Sequence, residues 1–197
     1  MIRCYVTDRH ALPAGSALLE AIARNLAAGV DWIQVREKDL SAQALFDLVR
    51  SALALPNPHG SKILVNGRVD VALAASAAGV HLPAASAPPD LWRTITRAGF
   101  LIGVSCHSIE EARAAEAEGA DYVLFGPVFA PISKYSDLSP LGVGQLARAT
   151  AAVRIPVLAL GGITPQNWAV CMDAGARGIA GISVFQELDG NLLEFDP

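Results

Sequence analysis

Short apolar runs alternate with amphipathic segments along the whole chain. The runs are Ile2–Thr7, Trp32–Arg36, Lys62–Val65, Gly79–Leu82, Phe100–Ser105 and Tyr122–Phe125, with two more inside Val157–Ile182. Runs this short, bounded by turn residues, read as buried strands. Helices are expected between them: Ser16–Ala28, a segment from Ser41, one after Arg68, Pro89–Ala98, one after Ser108, and Val143–Ala152. The Ser41 segment places Leu45, Leu48, Val49 and Ala52 on one face at i, i+3, i+4 and i+7. Ser108 and Glu111 have the spacing of a capping box. Thr164 is the expected N-cap of a seventh helix, with Pro165 at its first position.

A repeat runs through this pattern. Gly29, Gly79, Gly119 and Gly175 each follow a helix and precede a strand, 50, 40 and 56 residues apart. Glycine just past a helix end is the usual left-handed cap. Each interval has room for strand, helix, strand and helix, so four double units give eight parallel strands and closure into a (βα)8 TIM barrel. One such domain spans 1–197. After Ser183 only 14 residues remain, so the last helix is expected to be short or missing. A homodimer partner is the candidate cover for the seam it leaves.

Composition narrows the function classes. Apolar residues make up 52% and charged residues 17%, with net charge −4 and no run of Lys or Arg. This excludes disorder and gives no footprint for nucleic acid or an anionic membrane. No apolar run reaches the roughly 20 residues of a membrane span. Cys4, Cys106 and Cys171 are odd in number and far apart, which argues against disulfides and zinc and fits a cytoplasmic protein.

In such a barrel the residues just past each strand form the active-site face. Here they are Asp8; Arg36, Glu37 and Lys38; Asn66, Gly67 and Arg68; His81 and Pro83; Ser105, Cys106 and His107; Gly126; Gly161 and Gly162; and Ser183. Arg36 and Lys38 suit an anion, and Glu37 between them is a candidate proton carrier. Asn66 offers a donor and an acceptor to a planar ring. His107 can serve as acid or base, although a structural hydrogen bond is the commoner use of such a residue. His81, inside a strand, reads as a satisfied core residue. The long loop Pro127–Pro140 carries Ser133 and Lys134 and reads as a lid. Asp8 and Glu37 alone do not make a metal site, so none is assigned.

The loops after the seventh and eighth strands are the usual phosphate corner of this fold. Gly161, Gly162, Ile182 and Ser183 fall there, with backbone N–H groups and a helix start that favour an anion. A side chain at position 162 is expected to crowd that anion with little loss of fold.

Six motifs occur in order: Gln34-Val35-Arg36-Glu37-Lys38, Val65-Asn66-Gly67-Arg68-Val69-Asp70, Gly79-Val80-His81-Leu82, Gly103-Val104-Ser105-Cys106-His107, Gly126-Pro127-Val128-Phe129 and Gly161-Gly162-Ile163. Together they resemble the thiamine phosphate synthase/TenI family. The resemblance implies a barrel that binds a thiazole phosphate. In the synthase it also implies condensation with a pyrimidine diphosphate, with Mg²⁺. By motif match, Arg36, Lys38, Asn66, Ser105, Ser133 and Lys134 fall on the pyrimidine and diphosphate side, and Gly162, Ile182 and Ser183 on the thiazole-phosphate corner. The chain departs from the synthase where metal carboxylates belong: Gly67 follows Asn66, and Pro83-Ala84-Ala85-Ser86 follows the fourth strand. In the lid Pro131 and Ser133 replace two threonines. These departures point toward the TenI branch, some of whose members are metal-independent thiazole tautomerases, with Glu37 at the matching carboxylate. The histidine that branch carries after its sixth strand is Pro127 here, so His107 or a water would have to replace it. The leading expectation is a TenI-like tautomerase with no cofactor. The alternatives are a thiamine phosphate synthase, for which Mg²⁺ would be required, and a non-catalytic thiazole-phosphate binder in a regulatory or carrier role.

Overall fold

The computed structural model describes residues 1–130 and 139–186. Eight strands close into a parallel barrel in chain order: β1 (Ile2–Val6), β2 (Trp32–Val35), β3 (Lys62–Asn66), β4 (Gly79–Leu82), β5 (Leu101–Cys106), β6 (Tyr122–Phe125), β7 (Val157–Leu160) and β8 (Gly178–Gly181). The helices between them are α1 (Leu18–Ala27), α2 (Ala42–Leu53), α3 (Val69–Ala74), α4 (Pro89–Arg93), α5 (Ile109–Ala117), α6 (Gly142–Ala152) and α7 (Trp168–Asp173), with a final α8 (Ser183–Gln186). A single 3-10 turn, Arg9–Ala11, follows β1. No helix among the described residues is long and apolar enough to cross a membrane.

The period-2 alternation of each strand divides the core in two. Residues such as Ile33, Val65, Val80, Ile102, Val123 and Ile179 face the helices, where they meet Ile22, Leu26, Val49, Ala72, Ala112 and Leu146. Cys4, Val6, Leu64, Tyr122, Leu124, Leu158 and Ala180 fill the barrel interior. The three cysteines are free and buried. Burial pushes the thiols of Cys4 and Cys106 up to about 12 and that of Cys171 to about 11, so they act as small apolar side chains.

Local chemistry moves some predicted boundaries. Gly29, Gly119 and Gly175 do adopt positive φ past α1, α5 and α7. At α3 the left-handed residue is Ser76, with φ 62°. Gly79 instead opens β4, where a Cβ would lie 2.3 Å from the Leu101 carbonyl oxygen. Helix α4 stops at Arg93 rather than running to Ala98, because Thr94, Ile95 and Thr96 are poor helix formers. Arg93 then ties this end to the next unit by donating to the carbonyls of Phe100 and Gly119 and to Asp121. The Ser108–Glu111 box is half as drawn. Ser108 Oγ accepts from the Glu111 amide, but the Glu111 carboxylate accepts from His107 N rather than from its own cap.

The β8–β1 seam is not left open to the extent expected. Phe185 of α8 is fully buried over it, 6.3 Å from the Tyr5 ring. Asn25 Nδ2 donates to the Phe185 carbonyl, and Gln186 Nε2 donates to that of Asp8. The short last helix thus closes part of the gap itself.

Candidate active site

The C-terminal rim of the barrel brings two unlike groups of residues together. On the β1–β2 side Thr7 is a hub. Its hydroxyl donates to Glu37 Oε1 at 2.7 Å and accepts from the Arg36 amide at 2.9 Å. Arg9 closes the arrangement from the turn after β1. Its Nη1 donates to Glu37 Oε2 at 3.0 Å and to Asp39 Oδ1 at 2.7 Å, and its amide donates to Glu37 as well. The Arg9 guanidinium, with help from His10, holds the Asp39 carboxyl well below the usual carboxylate range.

This corrects the role expected for Glu37. The side chain is 1% exposed, ion-paired and fully hydrogen-bonded. Its lone pairs are spent on fixing the loop, so it does not face the mouth as a free proton carrier. The flanking residues behave oppositely. Lys38 is exposed and Arg36 half-buried, and neither has an ion pair among the described residues. The Arg36 charge pushes the Lys38 ammonium pKa down, as expected of two cations held together with no counter-ion between them.

Inside the mouth lies a polar column that the sequence reading only half found. Strand register sets Asn66 beside His81, and His81 beside Gly103. Asn66 Nδ2 donates to Gln34 Oε1 at 2.9 Å. Gln34 is buried, and its Nε2 has no partner. A buried amide donor without an acceptor is rare in a folded protein and points to a ligand or water. Ser105 lies 2.8 Å from His81 Nε2, and His81 Nδ1 lies 3.2 Å from the Tyr122 hydroxyl. Burial, with the Arg36 charge behind it, holds the His81 pKa down to about 3, so the imidazole is neutral. His81 is therefore the satisfied interior residue expected. Gln34 and Tyr122 were missed because each sits in an apolar run. The signal available was alternation: position 34 falls on the inner face of β2, between apolar outward residues.

His107 links two strand ends. Its Nδ1 donates to the Gly126 carbonyl at 2.5 Å, which joins the ends of β5 and β6. Ser133 and Lys134 lie outside the described residues.

The β7–β8 corner is built from backbone. Gly161 and Gly162 have φ of 97° and 63°. A Cβ on Gly161 would meet Pro127 at 2.5 Å, and one on Gly162 the Ala130 carbonyl oxygen at 2.4 Å. These glycines let the segment after β6 pack against β7, where Val128 N donates to the Leu160 carbonyl and Phe129 N to that of Gly161. A side chain at 162 therefore strikes the fold itself, contrary to the expectation that it would crowd only a ligand. The helix start also differs. Asn167 Oδ1 accepts from the Thr164 amide and its Nδ2 donates to the Gly162 carbonyl. Thr164 Oγ1 accepts from the Gln166 amide, so the expected cap forms on the turn that leads into α7, and Asn167, at the N-cap position of the helix itself, holds that turn in place. Among the described residues no acceptor takes the amides of Gly162 and Ile163, nor those of Ile182 and Ser183 on the adjoining strand end.

Comparison with known proteins identifies the family of this barrel. The sequence model of the thiamine monophosphate synthase family matches residues 4–185. The chain belongs to the thiamine monophosphate synthase family. It is 46% identical over 178 residues to a putative thiamine-phosphate synthase of Geobacter sulfurreducens, covering 90% of this chain and 83% of that one. It is 40% identical over 179 residues to the thiamine-phosphate synthase of Moorella thermoacetica, covering 91% and 85%. The solved thiamine phosphate pyrophosphorylase from Pyrococcus furiosus superposes with a TM-score of 0.83 at 33% identity, covering 96% of this chain and 89% of that one.

The thiamine monophosphate synthase family implies Mg²⁺, and the donor set here does not fit it. After β3 the rim carries Gly67, with φ 70°, and Arg68, whose guanidinium grips Asp70 at 2.9 and 2.6 Å. After β4 it carries Pro83-Ala84-Ala85-Ser86. Glu37 and Asp39 are held by Arg9. No group of three or more His, Cys, Asp or Glu suited to a metal occurs among the described residues.

Proposed function

We propose that this chain is a thiamine-phosphate synthase, which joins a thiazole phosphate to hydroxymethylpyrimidine diphosphate with release of diphosphate. The observation that carries the reading is the β2 rim, where both acids are tied to Arg9 and the cations Arg36 and Lys38 are left beside the polar column. That is a site arranged for a polyanion next to a planar heterocycle. The amides of Gln34 and Asn66 and the Ser105 hydroxyl hold the pyrimidine ring. The thiazole phosphate rests on the amides of Gly162, Ile163, Ile182 and Ser183. The thiazole nitrogen attacks the pyrimidine methylene carbon, the carbon–oxygen bond to diphosphate breaks, and the electron pair leaves with the diphosphate. Arg36 and Lys38 take up that charge as it develops. No step is routed through a metal, because the residues present do not build its site.

The missing carboxylates favour one other reading: a metal-free proton shift on the same thiazole phosphate. It is weakened by the buried, occupied carboxylate of Glu37. A single assay separates the two. Purified protein is given both substrates, with Mg²⁺ or with chelator, and thiamine phosphate is measured. Formation of product, lost by about 10²-fold in Arg36→Ala from a charge-assisted contact, is the expected result. Proton exchange on the thiazole without condensation would establish the tautomerase instead. Binding with neither reaction would leave a carrier or regulatory protein.

A further inference from the structure

We propose that Tyr122 and His81 are positioning residues that fix Ser105 as a hydrogen-bond donor toward the barrel mouth. Tyr122 is wholly buried, and its hydroxyl has one partner among the described residues, His81 Nδ1. His81 is neutral, so it carries one ring N–H and one acceptor nitrogen. Two arrangements are open. If Nδ1 carried the hydrogen, it would donate to Tyr122, and the phenol hydrogen would be buried with no acceptor. If Nδ1 accepts from Tyr122, every group is satisfied: the phenol donates to Nδ1, and Nε2–H donates to Ser105 Oγ at 2.8 Å. Buried polar groups avoid orphaned hydrogens, so the second arrangement holds.

The consequence appears at Ser105. Its oxygen receives a hydrogen bond from the inside, which leaves its own hydrogen to be donated outward. That hydrogen is met best by an acceptor, such as an unprotonated ring nitrogen of the bound heterocycle. An amino group in that place could reach only the second lone pair of the hydroxyl and would leave the hydroxyl hydrogen undonated. The relay therefore sets ring orientation, and it reaches the ligand only through Ser105. The packing is specific to this purpose: a Cβ at Gly103 would lie 2.0 Å from the Tyr122 ring, so glycine at that position makes room for the phenol. The link to a pyrimidine rests on the function proposed above, whereas the hydrogen placement does not.

Nitrogen-15 NMR of the wild-type imidazoles decides the placement without any ligand or variant. His81 is expected as the Nε2–H form, and the Nδ1–H form would overturn the proposal. Binding of hydroxymethylpyrimidine diphosphate to Tyr122→Phe, Ser105→Ala and the double variant then tests the coupling. Each single change is expected to weaken affinity about tenfold, with the double variant no weaker than Ser105→Ala. Additive losses would overturn a relay through Ser105. If wild-type protein does not bind that diphosphate, the proposed function falls, and the NMR result alone judges the relay.

Discussion

The two halves of the barrel mouth are made of different material. From β2 to β5 the rim is built from side chains: Gln34, Asn66, His81 and Ser105 are each held by a partner far away in sequence, and Arg36 beside them is anchored through its backbone amide to Thr7. From β7 to β8 it is built from backbone, where two left-handed glycines and a short helix start leave N–H groups unclaimed. Backbone amides suit an anion of any shape. Side chains with assigned donors and acceptors suit one ring in one orientation. The first half therefore selects, and the second anchors.

The sharpest way to break this division is at Gly162. Valine there would have to adopt φ 63° with its Cβ 2.4 Å from a carbonyl oxygen. The expected loss of stability is roughly 3–5 kcal/mol, from strained backbone and overpacking together, measured by urea unfolding. A variant as stable as wild type, with only its anion affinity reduced, would show that this corner is a ligand surface rather than a packing joint.

This difference also explains what could be read from the chain alone. The barrel was legible because its signals are local: apolar runs, helix caps and glycines recur within a few residues of the boundaries they set. Arg36 and Asn66 were legible as rim residues because a strand end is a sequence position. Glu37 was misread because its fate depends on Arg9, 28 residues earlier, which meets it only when the barrel closes. Tyr122 was missed for the same reason, since its partner His81 lies 41 residues away. The Thr164 cap was legible, but the residues after it form a turn held by the Asn167 side chain, so α7 begins only at Trp168.

The side-chain half also carries a pH signature. The folded barrel holds His81 down from 6.5 to about 3. Below pH 6.5 the unfolded chain binds a proton that the folded chain refuses until about 3, so stability falls as pH drops through that window. The contribution is a slope of about 1.4 kcal/mol per pH unit. It should vanish in His81→Asn, whatever constant loss that change brings. An unchanged slope between pH 6 and 4 in urea titrations would mean that the interior column is wetter than its burial indicates.

The smallest expected effect tests the same half from outside. The Lys38 ammonium is lowered chiefly by the Arg36 charge and secondarily by burial. Replacing Arg36 with Gln should move the Lys38 titration upward, followed through its side-chain carbon resonance. Inorganic diphosphate seated between the two cations should move it upward in the wild-type protein as well, because an anion stabilises the charged form. It should have little effect in Arg36→Gln if both cations are needed to hold it. A Lys38 titration that ignored diphosphate would separate this residue from the anion, and the selecting half of the mouth would then be the neutral column alone, with charge supplied by the backbone corner on the opposite side.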